Sequence, residues 1–262
     1  MQIFKCIIIK MKDYFVSIYF NYNKNPRRKQ LCQEFIDRYP HIHLMQIAYG
    51  SDVFDIDAPN GTRVRLEKYR GFEIFPMVNL FIKNHKSFRS ITLIDTDLIM
   101  PDDYFFKISR AHNVYKNVPL AIQGYSTFTD TLCEGIIQGC IYNYVKNVKY
   151  GGHTGLIWSF SKSFIDKIGK FPEEFIYGGF DYVLYLCLVR RLDILKDLIK
   201  NDKYQKIILD FYKMIEGTKI NYLPAKVIHN YHGDTKKRIN QWDYYTRDTD
   251  EVLEHLTKRD LL

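Results

Sequence analysis

The chain has 262 residues, 46 % of them hydrophobic and 16 % aromatic, with only 14 glycines and 8 prolines. That is enough apolar chain for one large domain or two small ones, and it excludes disorder, a coiled coil and a collagenous or low-complexity protein. The formal charge of +8 suits an anionic partner such as nucleic acid, a membrane surface or a phosphorylated small molecule, and equally suits a protein that is merely basic.

The first ten residues carry an apolar run broken by Lys5 and closed by Lys10, with no small-residue cleavage site behind it, so a signal peptide is not expected. Met11 is as good a start as Met1. No stretch reaches the roughly 20 apolar residues that cross a bilayer. Cys6, Cys32, Cys133, Cys140 and Cys187 are odd in number and scattered, without a Cys-x-x-Cys pair. This pattern suits a reducing compartment and a cytoplasmic chain, soluble or at most peripheral at a membrane surface.

Tyr14 to Phe20 is β-branched and aromatic and predicts a buried strand. Asn25-Pro26 supplies an N-cap and a first-turn proline for a helix in which Leu31, Phe35 and Tyr39 recur every fourth residue. A second strand spans His43 to Ala48, a turn-rich polar segment follows from Tyr49 to Thr62, and a helix covers Phe72 to Lys83. Ser90 to Ile94 is a third strand, and Pro101-Asp102-Asp103 opens another helix with its aspartates as caps. Pro119 to Gln123 and Leu156 to Phe160 predict strands; Ser161 to Ile168, Tyr182 to Lys200 and Lys203 to Ile215 predict helices. Lys226 to Asn230 is a last strand and Trp242 to Lys258 a charged terminal helix. Strands alternate with helices without an internal repeat or a Gly/Ser linker, which predicts a single α/β domain over 1–262.

Three constellations carry candidate chemistry. The first is the apolar strand that runs into Asp95-Thr96-Asp97: acids at the carboxyl end of a strand face the edge where ligands of open α/β sheets bind, and their oxygens suit a hard divalent cation. A turn cap and a solvated acid explain the same pair. The second is Gly178-Gly179-Phe180-Asp181 before an apolar helix, where the glycines let backbone approach a ligand and Asp181 is either a general base or a helix cap. The third is His229 and His232-Gly233 followed by Lys236, Lys237 and Arg238, a possible metal ligand with cations for phosphate, or ordinary histidines beside a solvated charge run. Arg27 and Arg28 stand in the first turn of the first helix, where the macrodipole disfavours cations; a bound anion or solvent screening resolves that conflict.

In order, YFNYNKNPRRK (Tyr19 to Lys29), ITLIDTDLIMPDD (Ile91 to Asp103), GHTGLIWSFSKSFIDKIGKFPEEFIYGGFD (Gly152 to Asp181) and VIHNYHG with Arg238 (Val227 to Arg238) resemble GT-A-fold glycosyltransferases. The likeness is to family-two-like enzymes of glycan synthesis, with a galactosyltransferase-like C-terminal half. It implies a Rossmann-like domain with a central, mostly parallel mixed sheet flanked by helices. Residues of about 12–125 would bind the nucleotide-sugar and those of about 126–262 would hold the acceptor and the catalytic group.

The resemblance also implies a nucleotide-diphosphate sugar as donor, a UDP-sugar above others, held through Mn2+ or Mg2+ by Asp95 and Asp97 with His232 as a further metal or diphosphate contact. Asn79 falls near the donor, and Arg27, Arg28, Lys236 and Arg238 are its candidate anion contacts. Asp181 takes the place of the base that deprotonates the hydroxyl of a glycan or other acceptor in an inverting transfer. Two departures stand out: Phe180 replaces the Gly or Glu of many relatives, and the second strand ends in Ala48-Tyr49-Gly50-Ser51 instead of an acidic pair. A retaining glycosyltransferase, a nucleotidyltransferase and a non-catalytic glycan- or polyanion-binding module are the alternatives.

Overall fold

Alternating side chains of the first strand feed two separate cores. In the computed structural model, which describes residues 11–20, 25–67, 74–131, 135–148, 152–174, 179–199 and 201–230, β1 (Lys12–Phe20) sends Phe15 and Tyr19 to one face of a sheet and Val16 and Phe20 to the other. The period of two along a strand makes this partition automatic, so a strand apolar on both faces belongs inside a layered α/β structure.

After β1 come α1 (Pro26–Arg38), β2 (His43–Tyr49), β3 (Gly61–Leu66), α2 (Ile74–Asn84), β4 (Phe88–Ile94), β5 (Leu98–Ile99) and α3 (Tyr104–Val114). The chain continues through β6 (Leu120–Gln123), β7 (Thr127–Asp130), β8 (Ile137–Gln138), α4 (Cys140–Val145), β9 (Ile157–Ser161), α5 (Lys162–Ile168) and α6 (Phe180–Leu188). It ends its described part with α7 (Leu192–Leu198), α8 (Asp202–Met214), β10 (Lys219–Tyr222) and β11 (Lys226–His229).

Seven strands form the main sheet in the order β10-β6-β9-β4-β1-β2-β3, and β9 alone among them runs antiparallel to its neighbours β4 and β6. A second sheet, β5-β11-β7-β8, is built from short strands that follow β4, β6 and β10. The helices cover both faces. α1 and α3 contribute Cys32, Phe35, Ile36, Tyr104 and Ile108 to one core; α2, α5, α6 and α8 contribute Phe81, Phe164, Val183 and Phe211 to the other. Fully burying each such aromatic or aliphatic side chain is worth about 1.5–3 kcal/mol. The expected α/β class and mostly parallel mixed sheet are therefore the observed ones.

The caps follow local chemistry. Asn25 Oδ1 accepts from the amides of Arg27 (2.9 Å) and Arg28 (3.3 Å), and Asn201 caps α8 in the same way. Asp103 makes no such bond; its carboxylate pairs with Lys107 one turn on, at 2.7 Å. The helix expected over Tyr182 to Lys200 is two helices, because Arg190 adopts φ 64° between α6 and α7, a conformation no α-helix continues through. Strand β3 occupies part of what reads as a turn-rich segment. The terminal helix expected from Trp242 lies outside the described residues.

Candidate active site

β4 ends at Ile94, and Asp95 emerges at the carboxyl edge of its parallel neighbours, its amide donating to Leu156 O at 3.0 Å. Because β9 is antiparallel, its beginning stands beside the end of β4, so residues 153–156 lie next to Asp95 rather than a strand length away. The backbone amide of Asn230, just past β11, donates to Asp97 O at 2.8 Å and ties the second sheet to the same turn.

Asp95 is exposed by area, although protein atoms crowd its carboxylate. Desolvation and the Asp97 charge push its carboxyl up to about 7; His229 opposes the shift, Asp181 adds to it and Arg28 opposes it. The same interactions identify the neighbourhood: Asp95, Asp97, Asp181, His229 and Arg28 share one electrostatic site.

His229, at the end of β11, is held between two acids. Its Nε2 lies 3.4 Å from Asp97 Oδ2 and its Nδ1 lies 2.7 Å from Asp130 Oδ2, all three side chains being less than a fifth exposed. Burial alone would lower its pKa; the hydrogen bonds to and charges of Asp97 and Asp130 outweigh burial and raise it to about 9. The ring is an imidazolium at neutral pH and compensates part of the charge of Asp97.

Asp181 sits at the second position of α6, half-buried, behind Gly179 in the left-handed conformation (φ 74°). Its Oδ2 accepts from the Thr154 hydroxyl at 2.6 Å. Phe180 is a core anchor: it packs against Phe75 (4.3 Å between ring centroids) and Phe211 (5.3 Å) and pins the start of α6.

Arg28 reaches toward the cluster with its guanidinium 6.0 Å from the Phe20 ring centroid, while Arg27 on the same turn is exposed. Asn79 has structural partners: its amide donates to Phe171 O (2.9 Å) and Glu173 Oε1 (2.8 Å) and accepts from Phe171 N (2.9 Å), which accounts for the residue without a donor. His232, Lys236 and Arg238 lie outside the described residues. The structure adds Asp130 and Thr154 to the site and brings His229 of the third constellation to Asp97. Asp130 and Thr154 carried no signal in the sequence, because each acts through a partner about 100 or 27 positions away.

For a divalent cation, the fit rests on donor chemistry. Burial and then the like charge of Asp97 push the Asp95 carboxyl up, and a cation between the two acids relieves their repulsion. Among the described residues no three His, Cys, Asp or Glu side chains form a complete cage. Magnesium-type sites use one or two carboxylates with substrate phosphates, so the pair fits.

No family model and no curated protein sequence matches the chain. Solved structures do. A structure of GalNAc-T7 with UDP, GalNAc and Mn2+ is 12 % identical over 86 % of this chain and 44 % of its own, with a TM-score of 0.48. A glycosyltransferase involved in glycosylation of the major capsid of PBCV-1 is 12 % identical over 94 % and 99 %, with a TM-score of 0.36. A putative glucose-1-phosphate thymidylyltransferase from Bacillus anthracis, in complex with a sucrose, is 10 % identical over 95 % and 96 %, with a TM-score of 0.37. The chain thus spans less than half the length of the GalNAc-T7 structure.

Proposed function

We propose that the chain is a glycosyltransferase that moves a sugar from a nucleotide-diphosphate sugar to a hydroxyl of a glycan or other acceptor, with inversion at the anomeric carbon. The observation that carries this reading is the convergence of two kinds of acid at one sheet edge: the Asp95-Asp97 pair, suited to a metal-bound diphosphate, and Asp181, fixed apart from them on α6 by Thr154. A hydrolase needs only one such acid pair to activate water. Transfer from an activated donor needs a counter-charge for the leaving group and a base for the nucleophile.

The acceptor hydroxyl gives its proton to the Asp181 carboxylate as its oxygen forms a bond to the anomeric carbon. The bond from that carbon to the diphosphate oxygen breaks, and its electron pair leaves with the nucleoside diphosphate. Asp95 and Asp97 would hold Mn2+ or Mg2+, which supplies charge stabilisation for the diphosphate when bound. Arg28 contributes a fixed positive charge at the same edge, and His229 keeps Asp97 oriented.

The test is Asp181→Asn, assayed against a panel of UDP- and GDP-sugars with Mn2+. Parent turnover should release nucleoside diphosphate, and the variant should lose about 10²–10⁴-fold in transfer rate while binding UDP as the parent does. Release of pyrophosphate would make the protein a nucleotidyltransferase. A product of retained configuration, or an unimpaired variant, would remove Asp181 as the base.

A further inference from the structure

We infer that Thr154 is a positioning residue that selects Asp181 Oδ1 as the proton-accepting oxygen; the inference rests on the transferase reading above. The Thr154 hydroxyl has one proton, and it is committed to Asp181 Oδ2 at 2.6 Å. A short O–H···O⁻ bond of this kind is charge-assisted and directional, so it fixes the plane of the carboxylate as well as its place. Oδ1 is left for the acceptor.

The hydroxyl can do this because the segment bearing it is strapped at every residue. His153 O accepts from Cys140 N (3.0 Å) and Gln123 Nε2 (2.8 Å), and Thr154 O accepts from the Trp158 indole at 2.7 Å. Tyr125 Oη donates to Gly155 O at 2.9 Å and stands 2.9 Å from His153 Nδ1. Leu156 O receives the amide of Asp95.

Leu156 itself is held at φ 75° although it is not glycine and is buried. Such a conformation is disfavoured for a residue that bears a Cβ and persists only where the surroundings over-determine it. Gly155 is held open for the same end: a Cβ there would stand 3.3 Å from Asp181 Oδ2 and 3.1 Å from His153 Cε1, crowding the space between them. One four-residue segment therefore fixes the backbone of Asp95 through Leu156 and the carboxylate of Asp181 through Thr154. It sets the spacing between the two ends of the reaction.

The experiment compares Thr154→Val, which keeps the shape and removes the hydroxyl, with Thr154→Ser, which keeps the hydroxyl, and with Asp181→Asn and the Thr154→Val/Asp181→Asn double variant. Rates are followed as nucleoside diphosphate release from whichever of UDP-glucose, UDP-galactose, UDP-GlcNAc, UDP-GalNAc and GDP-mannose the parent turns over fastest with Mn2+. UDP affinity is followed by calorimetry.

Thr154→Val should lower kcat about 10–100-fold with UDP affinity within about twofold, and Thr154→Ser should recover most of the loss. The double variant should be no slower than Asp181→Asn.

Thr154→Ala replaces Thr154→Val should valine misfold by circular dichroism. A valine or alanine variant with parental kcat, beside a crippled Asp181→Asn, overturns this inference and leaves the base standing. So does a serine variant as slow as valine, which would assign the effect to the methyl group. An Asp181→Asn of parental rate, or a parent that turns over none of the five sugars, overturns the transferase reading and this inference with it.

Discussion

His229 stands 3.4 Å from the Asp97 carboxylate with one nitrogen and turns the other to Asp130. Removing the ring in His229→Ala leaves two largely buried carboxylates without their shared cation, which should cost about 3 kcal/mol near neutral pH. The sign with pH follows from the raised pKa: the histidine's stabilisation is complete below its unfolded value near 6.5 and is lost as pH rises through about 9. Urea titrations of parent and variant should therefore differ most near pH 6 and converge above pH 9. A pH-independent difference would mean that the imidazole is neutral and acts only by packing.

Asp95→Asn and Asp97→Asn should both abolish the part of UDP binding that depends on Mn2+, read by calorimetry with and without the metal. Asp95→Asn should also raise the melting temperature of the metal-free protein at pH 8, because it removes a charge that desolvation and Asp97 disfavour. That gain should shrink as pH falls below about 7 and vanish only below the ordinary carboxyl value of 3.8, where the unfolded chain is protonated as well. Parental Mn2+-dependent affinity in either variant would end the metal assignment.

His112 reports on the core. Its Nε2 bonds Ser159 Oγ at 2.7 Å, which in turn lies 2.6 Å from Thr92 Oγ1, and burial lowers its pKa to about 4 against the opposing charge of Asp13. The stability held by the neutral ring is present above pH 6.5 and lost as pH falls toward 4, to a limit of about 3 kcal/mol. His112→Gln should start somewhat less stable at pH 7.5 and lose less than the parent between pH 6.5 and 4.5. Parallel denaturation curves across that range would place the titration elsewhere.

Gly124→Ala should destabilise by about 1–3 kcal/mol, as overpacking does. A Cβ at 124 would meet Tyr104 Oη and Ile157 Cγ2 at 2.3 Å each, in the packing that leads from β6 to Tyr125. Chemical denaturation measures it. Gly169→Ala makes a useful contrast, since open space surrounds that position and only its φ of 69° opposes a side chain.

What could be read from the sequence was what acts locally. Strands with apolar residues on both faces, such as β1 and β4, and helices with proline or asparagine starts, such as α1, declare themselves within ten residues. Asp95 and Asp97 were legible because a strand points at them. β3 was not, because its Thr62-Arg63-Val64-Arg65 alternation is that of an edge strand whose charged face is exposed. The helix break at Arg190 depends on one backbone angle that no residue type announces.

At the site, His232 is implied by the resemblance and lies outside the described residues, while the fold brings His229 to Asp97 by pairing β11 with β5, whose residues follow directly on Asp97. Register across a sheet is a property of two segments, and neither spells out the other. The same holds for Thr154 and Asp181, whose contact depends on where α6 begins after the packing of Phe180.

The placement of β9 also bears on how the molecule is made. β9 fills the slot between β4 and β6, so these two strands, both complete by residue 123, have no hydrogen-bonded neighbour on their facing sides until residues 157–161 arrive. A nascent chain on the ribosome must carry that open cleft while some thirty further residues are synthesised, and the exposed strand edges are sites for mispairing during the wait. The segment that closes the cleft also carries Leu156 to Asp95 and sets Thr154 where Asp181 later docks, and β10 joins the other side of β6 only after that.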